Sequence, residues 1–279
     1  MYPEKVYSDL SSWAIARNET YWLSCVAPKR GPKLQGWATP EQMIANMDEA
    51  GIEKAVILGW YWENSATCIE NISWQLEWIR DYSKRFIAFA PFNAKGGQTA
   101  FDSVKRALDF GFKGIGELNP PAQGYDYENE WLDRILSMIS EYNAIVNFHA
   151  TDPSTHDYPG KIETPIQSLK AMADRHPKTK FIFAHLGGMM ELPELKRLPN
   201  VYLDTAATPL LYDSDIYSKA IEQIGANRIL FGTDYPLRTL PKKQKLPDFT
   251  SHLAQLENAG LAEKEVEKIV SLNAYSLLA

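Results

Sequence analysis

The sequence has few of the features that mark secreted, membrane-bound and nucleic-acid-binding proteins. Its 279 residues include two cysteines, too few for a disulfide framework, which favours a reducing, cytoplasmic compartment. No apolar run approaches the roughly 18 residues of a membrane span, and MYPEKVYSDLSSW at the start lacks the apolar core of a signal peptide. The net charge is −6, with KKQK at 242–245 as the only basic run. We therefore expect a small-molecule substrate, no nucleic acid or membrane as partner, and leave a homodimer open.

Short apolar runs recur along the chain, and helical patterns lie between them. The runs are continuous rather than alternating, which is typical of parallel strands covered on both faces. They are KAVILGW (54–60), RFIAFAPFN (85–93), FKGIGELN (112–119), AIVNFHATD (144–152), KFIFAHLGG (180–188), VYLDTAAT (201–208) and RILFGTDYP (228–236). With no change of composition that marks a linker, we predict one domain over 1–279, with an irregular region at 1–50 and β/α repeats at 51–279.

These repeats predict a parallel α/β fold, and we favour a (β/α)8 TIM-type barrel. A dinucleotide-binding open sheet has little support, because no G-x-G-x-x-G or Walker-type loop follows any of the strands. The barrel needs eight strands and seven are evident, so the first is missing or degenerate. YWLSCVA (21–27) is the only apolar run before residue 50 that could be a first strand.

Polar side chains fall late in four of the predicted strands: Glu117, His149, His185 and Asp234. The carboxyl ends of barrel strands meet at one mouth, where the active sites of this architecture lie. Two imidazoles and two carboxylates that converge are a ligand set for Zn²⁺ or a related divalent metal.

Each of these residues also has a structural interpretation. A histidine at a strand end commonly bonds a backbone carbonyl, and Glu117 or Asp234 could cap the following turn. Asp204, late in VYLDT, is expected to be structural. Three further histidines in loop or surface patterns are expected to be non-catalytic, namely His156, His176 and His252. The joint pattern favours a site, because four polar residues share the same depth in four strands.

Two features could contact a substrate. Trp60, Tyr61 and Trp62 follow the strand at 54–60 and could wall an apolar or planar molecule, or pack loop against helix instead. Arg238 lies four residues after Asp234 and could pair with a substrate carboxylate or form a surface salt bridge.

The motifs FHATDP, FAHLGG and ILFGTDYP, with LNAYSLL at 272–278, resemble the amidohydrolase superfamily over roughly residues 40–279. The resemblance is narrower to the amidohydrolase-related branch, which includes decarboxylases similar to aminocarboxymuconate semialdehyde decarboxylase. It implies that His149 is a metal ligand, that Asp234 is a ligand that also handles a proton, and that His185 is a second ligand or a general acid. Glu117 matches a position where some relatives bridge metals.

The family's first strand ends in His-x-His, and no such pair occurs here. In relatives a segment similar to YPEKV follows that pair, and in this chain it begins at Tyr2. We expect the start to be internal to a longer chain; otherwise YWLSCVA or another chain fills the slot. Without those ligands, we expect metal to be held weakly.

Three functions follow from these residues. The first is hydrolysis of a small amide, ester or lactone, with metal-activated water, Asp234 accepting its proton and His185 stabilising the oxyanion or donating a proton. The second is non-oxidative decarboxylation at the same site. The third is a metal-free barrel that binds a ligand without catalysis.

Overall fold

The computed structural model describes residues 1–31 and 33–279, and its centre is one parallel sheet. Seven strands hydrogen-bond in sequence order, as in a TIM-type α/β barrel. They are β1 (Ala55–Leu58), β2 (Phe86–Ala90), β3 (Gly114–Leu118), β4 (Ile145–Phe148), β5 (Lys180–Phe183), β6 (Val201–Asp204) and β7 (Ile229–Leu230). Each lies within one of the predicted runs, so the prediction of a parallel β/α fold is confirmed. The strands are shorter than the runs, and His149, His185 and Asp234 lie beyond the ends of β4, β5 and β7.

Alternation along the strands separates two apolar layers. Phe89, Ile145, Ile182 and Leu230 form one cluster with Leu277 of the C-terminal helix, which packs against these side chains. Neighbours in the strands, such as Val146 and Phe181, belong to the larger cluster that packs against the helices. Because a buried Leu or Phe contributes about 1.5–3 kcal/mol, both layers stabilise the sheet.

Helices surround the sheet and also form the region before β1. The helices are α1 (Glu4–Tyr7), α2 (Leu10–Arg17), α3 (Thr20–Val26), α4 (Pro40–Glu49), α5 (Ser65–Asp81), α6 (Gly97–Asp109), α7 (Pro120–Gln123), α8 (Glu130–Glu141), α9 (Ile166–Arg175), α10 (Ala184–Gly187), α11 (Leu192–Leu195), α12 (Thr208–Leu211), α13 (Ile216–Ile224), α14 (Thr250–Glu257), α15 (Glu263–Glu267) and α16 (Asn273–Leu278). Across the described residues, no helix combines the length and apolarity needed to cross a membrane.

The N-terminal region differs from the sequence expectation. YWLSCVA is not a strand: Thr20–Val26 is helix α3, and Trp22, Cys25 and Val26 are its buried residues. Their spacing of three and four positions is that of a helix face, which explains why a short apolar run was misleading. The expected irregular region at 1–50 is likewise corrected, since four helices occupy much of it.

A tryptophan-rich cluster joins this N-terminal region to the barrel. Trp13 and Trp22 lie against Trp62, with ring centroids 5.5 and 5.3 Å from it. Trp74 of α5 completes the cluster, 6.3 Å from Trp62. Aromatic contacts of this kind add about 0.5–1.5 kcal/mol each beyond area burial. The N-terminal helices therefore pack against the loop that follows β1 and hold it in place.

The sheet is open between its two outer strands. Among the described residues β1 pairs only with β2, and β7 only with β6. Beyond β7, the Phe231 amide donates to the carbonyl of Ile269 at 2.9 Å. On β1, Leu58 is 39% exposed. The seven strands thus form a curled sheet whose carboxyl ends still face a common cavity.

Candidate active site

A cavity lies at the carboxyl ends of the strands. Glu117, His149, His185 and Asp234 all line it. Its wall includes an aromatic and aliphatic set, namely Trp60, Tyr61, Tyr158, Leu210, Leu211 and Leu237. The four polar residues that the sequence singled out are therefore brought together around one space.

Glu117 reaches the cavity through an irregularity in β3. The pairing of β3 with β4 shifts register between Ile115 and Leu118. Both of these residues pack in the outer apolar cluster although they are three positions apart, which regular alternation does not allow. The extra residue in this bulge turns the Glu117 side chain inward. Its carboxylate Oε1 lies 2.9 Å from Nδ1 of His149.

His149 follows directly after β4 and continues its inward alternation. Its two ring nitrogens are both engaged, because Nε2 lies 3.0 Å from the Thr151 hydroxyl while Nδ1 faces Glu117. Burial lowers the pKa of the imidazole to about 4, so the ring is neutral at pH 7.

His185 is turned into the cavity by an unusual backbone. Its φ and ψ are 56° and 44°, and Leu186 is also left-handed, in a turn directly after β5. The ring Nδ1–H donates to the carbonyl of Ala206 at 3.0 Å, because a carbonyl can only accept. In the neutral imidazole, Nε2 is then the nitrogen that carries the lone pair. It lies 3.3 Å from Nδ1 of His149 and 3.8 Å from Glu117 Oε1.

Three acceptor-bearing side chains thus converge on one point. The ligand atoms of Glu117, His149 and His185 all lie within 4.8 Å of one another. A single proton on His149 Nδ1 can form a hydrogen bond to only one of its two neighbours at full strength. A divalent cation would interact with the acceptor atoms of all three side chains. Two imidazole nitrogens and one carboxylate oxygen suit Zn²⁺, Mn²⁺ and related ions. The residues present therefore fit a divalent metal.

Asp234 lines the same cavity but is outside this cluster of three. Its backbone is left-handed, with φ 63°. Burial raises the pKa of Asp234 to about 7, and burial likewise raises the pKa of Glu117 to about 7. A buried carboxyl that holds its proton near neutral pH can donate or accept one during a reaction.

Of the four predicted substrate-contact residues, two line the cavity and two do not. Trp60 and Tyr61 line the cavity, and the Tyr61 ring lies 5.6 Å from that of His149. Trp62 is 1% exposed in the tryptophan-rich cluster and donates to Asn71 Oδ1 at 2.8 Å. Arg238 is not part of the lining; its backbone amide donates to the Leu34 carbonyl.

The loop after His149 supplies residues that sequence reasoning missed. Asp152 and Tyr158 both line the cavity. The signal was present in the polar, proline- and glycine-containing run TDPSTHDYPG (151–160), which is long enough to fold over the mouth. In that run His156 is exposed, whereas His176 pairs with Asp133 and His252 is buried elsewhere.

A parallel barrel with histidines and carboxylates gathered at the carboxyl-terminal mouth defines a TIM-barrel enzyme. The sequence model of one family, described as amidohydrolase, matches residues 13–279. The chain belongs to the amidohydrolase family. No curated protein matches the sequence.

Solved structures support the same fold. The chain is similar to 2,6-dihydroxybenzoate decarboxylase from Rhizobium, with 20% identity, a TM-score of 0.66, and coverage of 93% of this chain and 94% of that one. A dihydroxybenzoic acid decarboxylase from Polaromonas sp. JS666, with bound manganese and 2-nitroresorcinol, has 19% identity, a TM-score of 0.64, and coverage of 92% and 93%. A 5-carboxyvanillate decarboxylase from Novosphingobium aromaticivorans, complexed with manganese, has 16% identity, a TM-score of 0.65, and coverage of 85% and 79%.

Proposed function

We propose that this enzyme removes CO₂ from a small aromatic carboxylic acid, with a divalent metal held by Glu117, His149 and His185. The observation that carries the proposal is the convergence of three acceptor groups at the barrel mouth, within 4.8 Å of one another. Decarboxylases of aromatic acids among similar folds, two of them with manganese, support this reaction over hydrolysis. Mn²⁺ is therefore the first metal to test, with Zn²⁺ as the alternative that the ligand set also accepts.

A divalent ion in this position would supply the positive charge that binds a substrate carboxylate and stabilises negative charge during the reaction. Tyr61 and Trp60 would hold the planar ring against the cavity wall. Asp234, whose pKa burial raises to about 7, would donate a proton to the ring carbon that loses CO₂. The carbon–carboxylate electron pair stays with that carbon, so one proton enters and one CO₂ leaves.

The acidic side chains that line the cavity favour a substrate with a single carboxylate. The carboxylic residues that line the cavity are Glu117, Asp152 and Asp234. A carboxylate directed at the metal would be accepted, whereas a second anionic group would face Asp152. We therefore favour a monocarboxylic acid whose other substituents are hydroxyl or amino groups.

Hydrolysis is the second candidate. The observation that favours it is again Asp234, because a carboxyl with a pKa near 7 can also accept a proton from an attacking water. A barrel that binds a ligand without metal or catalysis is the third, and metal content distinguishes it from the other two.

The experiment compares protein stripped by a chelator with the same protein reloaded with Mn²⁺ or Zn²⁺. Each form is given 2,6-dihydroxybenzoate, a monocarboxylate, and 5-carboxyvanillate, a dicarboxylate that we expect to be the poorer substrate, with CO₂ release measured directly. A parallel set of amides, esters and lactones tests hydrolysis. Metal-dependent CO₂ release supports the proposal. Metal-dependent cleavage of the second set without CO₂ release would establish hydrolysis, and a chain that binds no metal would favour the third candidate.

A further inference from the structure

Asp204, the last residue of β6, makes three contacts next to the candidate metal ligands. Its Oδ1 accepts from the backbone N–H of His185 at 3.1 Å and from that of Ala206 at 3.0 Å. Its Oδ2 accepts from Asn147 Nδ2 at 3.1 Å. The carboxylate therefore ties the ends of β4, β5 and β6 to one another.

Two of these contacts act on the same imidazole. The first holds the backbone of His185, whose left-handed φ of 56° is uncommon for a residue other than glycine. The second holds Ala206, whose carbonyl accepts the Nδ1–H of His185 at 3.0 Å. Both the direction of the His185 side chain and the nitrogen that carries its proton thus depend on residues that Asp204 binds.

We propose that Asp204 is a positioning residue for His185. It fixes the left-handed turn and the Nδ1–H tautomer, so that the unprotonated Nε2 faces His149 and Glu117. The part of the inference that concerns metal binding rests on the proposed function; the part that concerns the tautomer does not. Partners behind metal-binding histidines commonly change metal affinity by 10–100-fold when removed.

The test uses three variants of the full chain. Asp204→Ala removes all three contacts. Asp204→Asn keeps Oδ1 as the acceptor for the two backbone amides. Asn147 can turn its amide to pair with the new side chain, because its own Oδ1 has no hydrogen-bond partner among the described residues. Asn200→Ala is the matched control at the other end of the same strand, where Asn200 donates to the carbonyls of Ala173, His176 and Thr179.

The first readout is the tautomer of His185 in metal-free protein at pH 8, from long-range ¹H–¹⁵N NMR of the imidazoles. The chain has five histidines, and loss of one signal set in His185→Asn identifies the resonances. We expect the Nδ1–H form in the wild type, Asp204→Asn and Asn200→Ala, and a mixture of tautomers in Asp204→Ala. A single Nδ1–H form in Asp204→Ala would overturn the inference.

The second readout is the Kd for Mn²⁺, measured by titration with the free ion followed by electron paramagnetic resonance. We expect Asp204→Ala to bind Mn²⁺ 10–100-fold more weakly, and Asp204→Asn and Asn200→Ala to stay within about threefold of the wild type. Equal affinity in the wild type and Asp204→Ala would refute the metal-binding part. Wild-type protein that binds no Mn²⁺ would refute the proposed function, while the tautomer measurement still decides the role of Asp204.

Asn147→Ala serves if Asp204→Ala does not fold. It removes only the contact to Oδ2 of Asp204, so we expect a smaller shift of the tautomer and of the Kd in the same direction. No shift in this variant would count against the inference.

Discussion

Oε1 of Glu117 lies 2.9 Å from Nδ1 of His149, on the neighbouring strand. The two residues are 32 positions apart in sequence, and the contact exists because the bulge in β3 turns the carboxylate inward. It places a carboxyl oxygen beside a neutral imidazole, and Nε2 of a second imidazole, that of His185, lies 3.3 Å from the same Nδ1. This arrangement is the basis of the proposed metal site, on which the proposed reaction depends.

His185→Asn separates a structural role of His185 from a chemical one. The asparagine Nδ2 can still donate to the Ala206 carbonyl, as the imidazole Nδ1 does, but nothing replaces Nε2. We expect a melting temperature within a few degrees of the wild type and a turnover lowered by at least about tenfold, because one of the three proposed metal ligands is lost. A large fall in melting temperature with normal turnover per folded molecule would instead make His185 a core residue.

Tyr61 and Trp62 are expected to respond differently to substitution. Tyr61 lines the cavity, so Tyr61→Leu should raise KM about tenfold through loss of ring contact with a planar substrate. Trp62 packs in the tryptophan-rich cluster, so Trp62→Phe should leave KM unchanged. It should lower the free energy of unfolding by about 1–3 kcal/mol, because Asn71 Oδ1 loses its shorter hydrogen bond and keeps only the Trp60 N–H at 3.4 Å. Steady-state kinetics and urea unfolding measure the two effects. A raised KM in Trp62→Phe, or none in Tyr61→Leu, would contradict these placements.

Asp152 should discriminate against doubly charged substrates. We expect an aromatic monocarboxylate to bind at least tenfold more tightly than the same ring with a second carboxylate, a difference of about 1.4 kcal/mol. Asp152→Asn should reduce this ratio, since the amide keeps an oxygen for the Ser154 backbone N–H and removes the charge. Competition binding with the two acids measures the ratio. An unchanged ratio in the variant would show that Asp152 does not face the second substituent.

His252 should make stability depend on pH. It lies 2.7 Å from the Thr208 hydroxyl, and burial lowers the pKa of His252 to about 3, against about 6.5 in the unfolded chain. As pH falls below 6.5, His252 gains a proton in the unfolded state but not in the folded state. The free energy of unfolding therefore decreases. Relative to His252→Gln, we expect the wild type to lose on the order of 2 kcal/mol between pH 7 and pH 5. Parallel pH profiles for the two proteins would place the pKa of His252 near its ordinary value.

The order of strands and the inward position of His149 could be predicted from the sequence. Continuous apolar runs mark parallel strands, and His149 simply continues the alternation of β4. The placements of Glu117 and His185 could not be derived in this way. Glu117 depends on a register shift, and His185 on a left-handed turn. Neither feature produces a periodic pattern in the sequence. Only the position of Glu117 and His185 near the end of a predicted strand indicated a role for them.

The N-terminal helices show a different limit. YWLSCVA is rich in aromatic and branched residues, which favours a strand over a window of seven residues. The helical spacing of Trp22, Cys25 and Val26 spans too few residues to exclude a strand, and the contacts of Trp22 with Trp13 and Trp62 show which face is buried. For a related reason, the sequence leaves open whether Trp62 contacts substrate or packs loop against helix, because its neighbours in the cluster are distant in sequence.

The most direct test of the metal site is the number of Mn²⁺ ions bound per chain in the wild type, Glu117→Gln and His149→Gln, from titrations at equal protein concentration. Glutamine keeps much of the shape of each side chain and removes the carboxylate charge or the imidazole nitrogen. We predict one ion per chain in the wild type, and at least tenfold weaker binding in each variant with the far-UV circular dichroism unchanged. Equal stoichiometry and affinity in all three proteins would contradict the site formed by Glu117, His149 and His185.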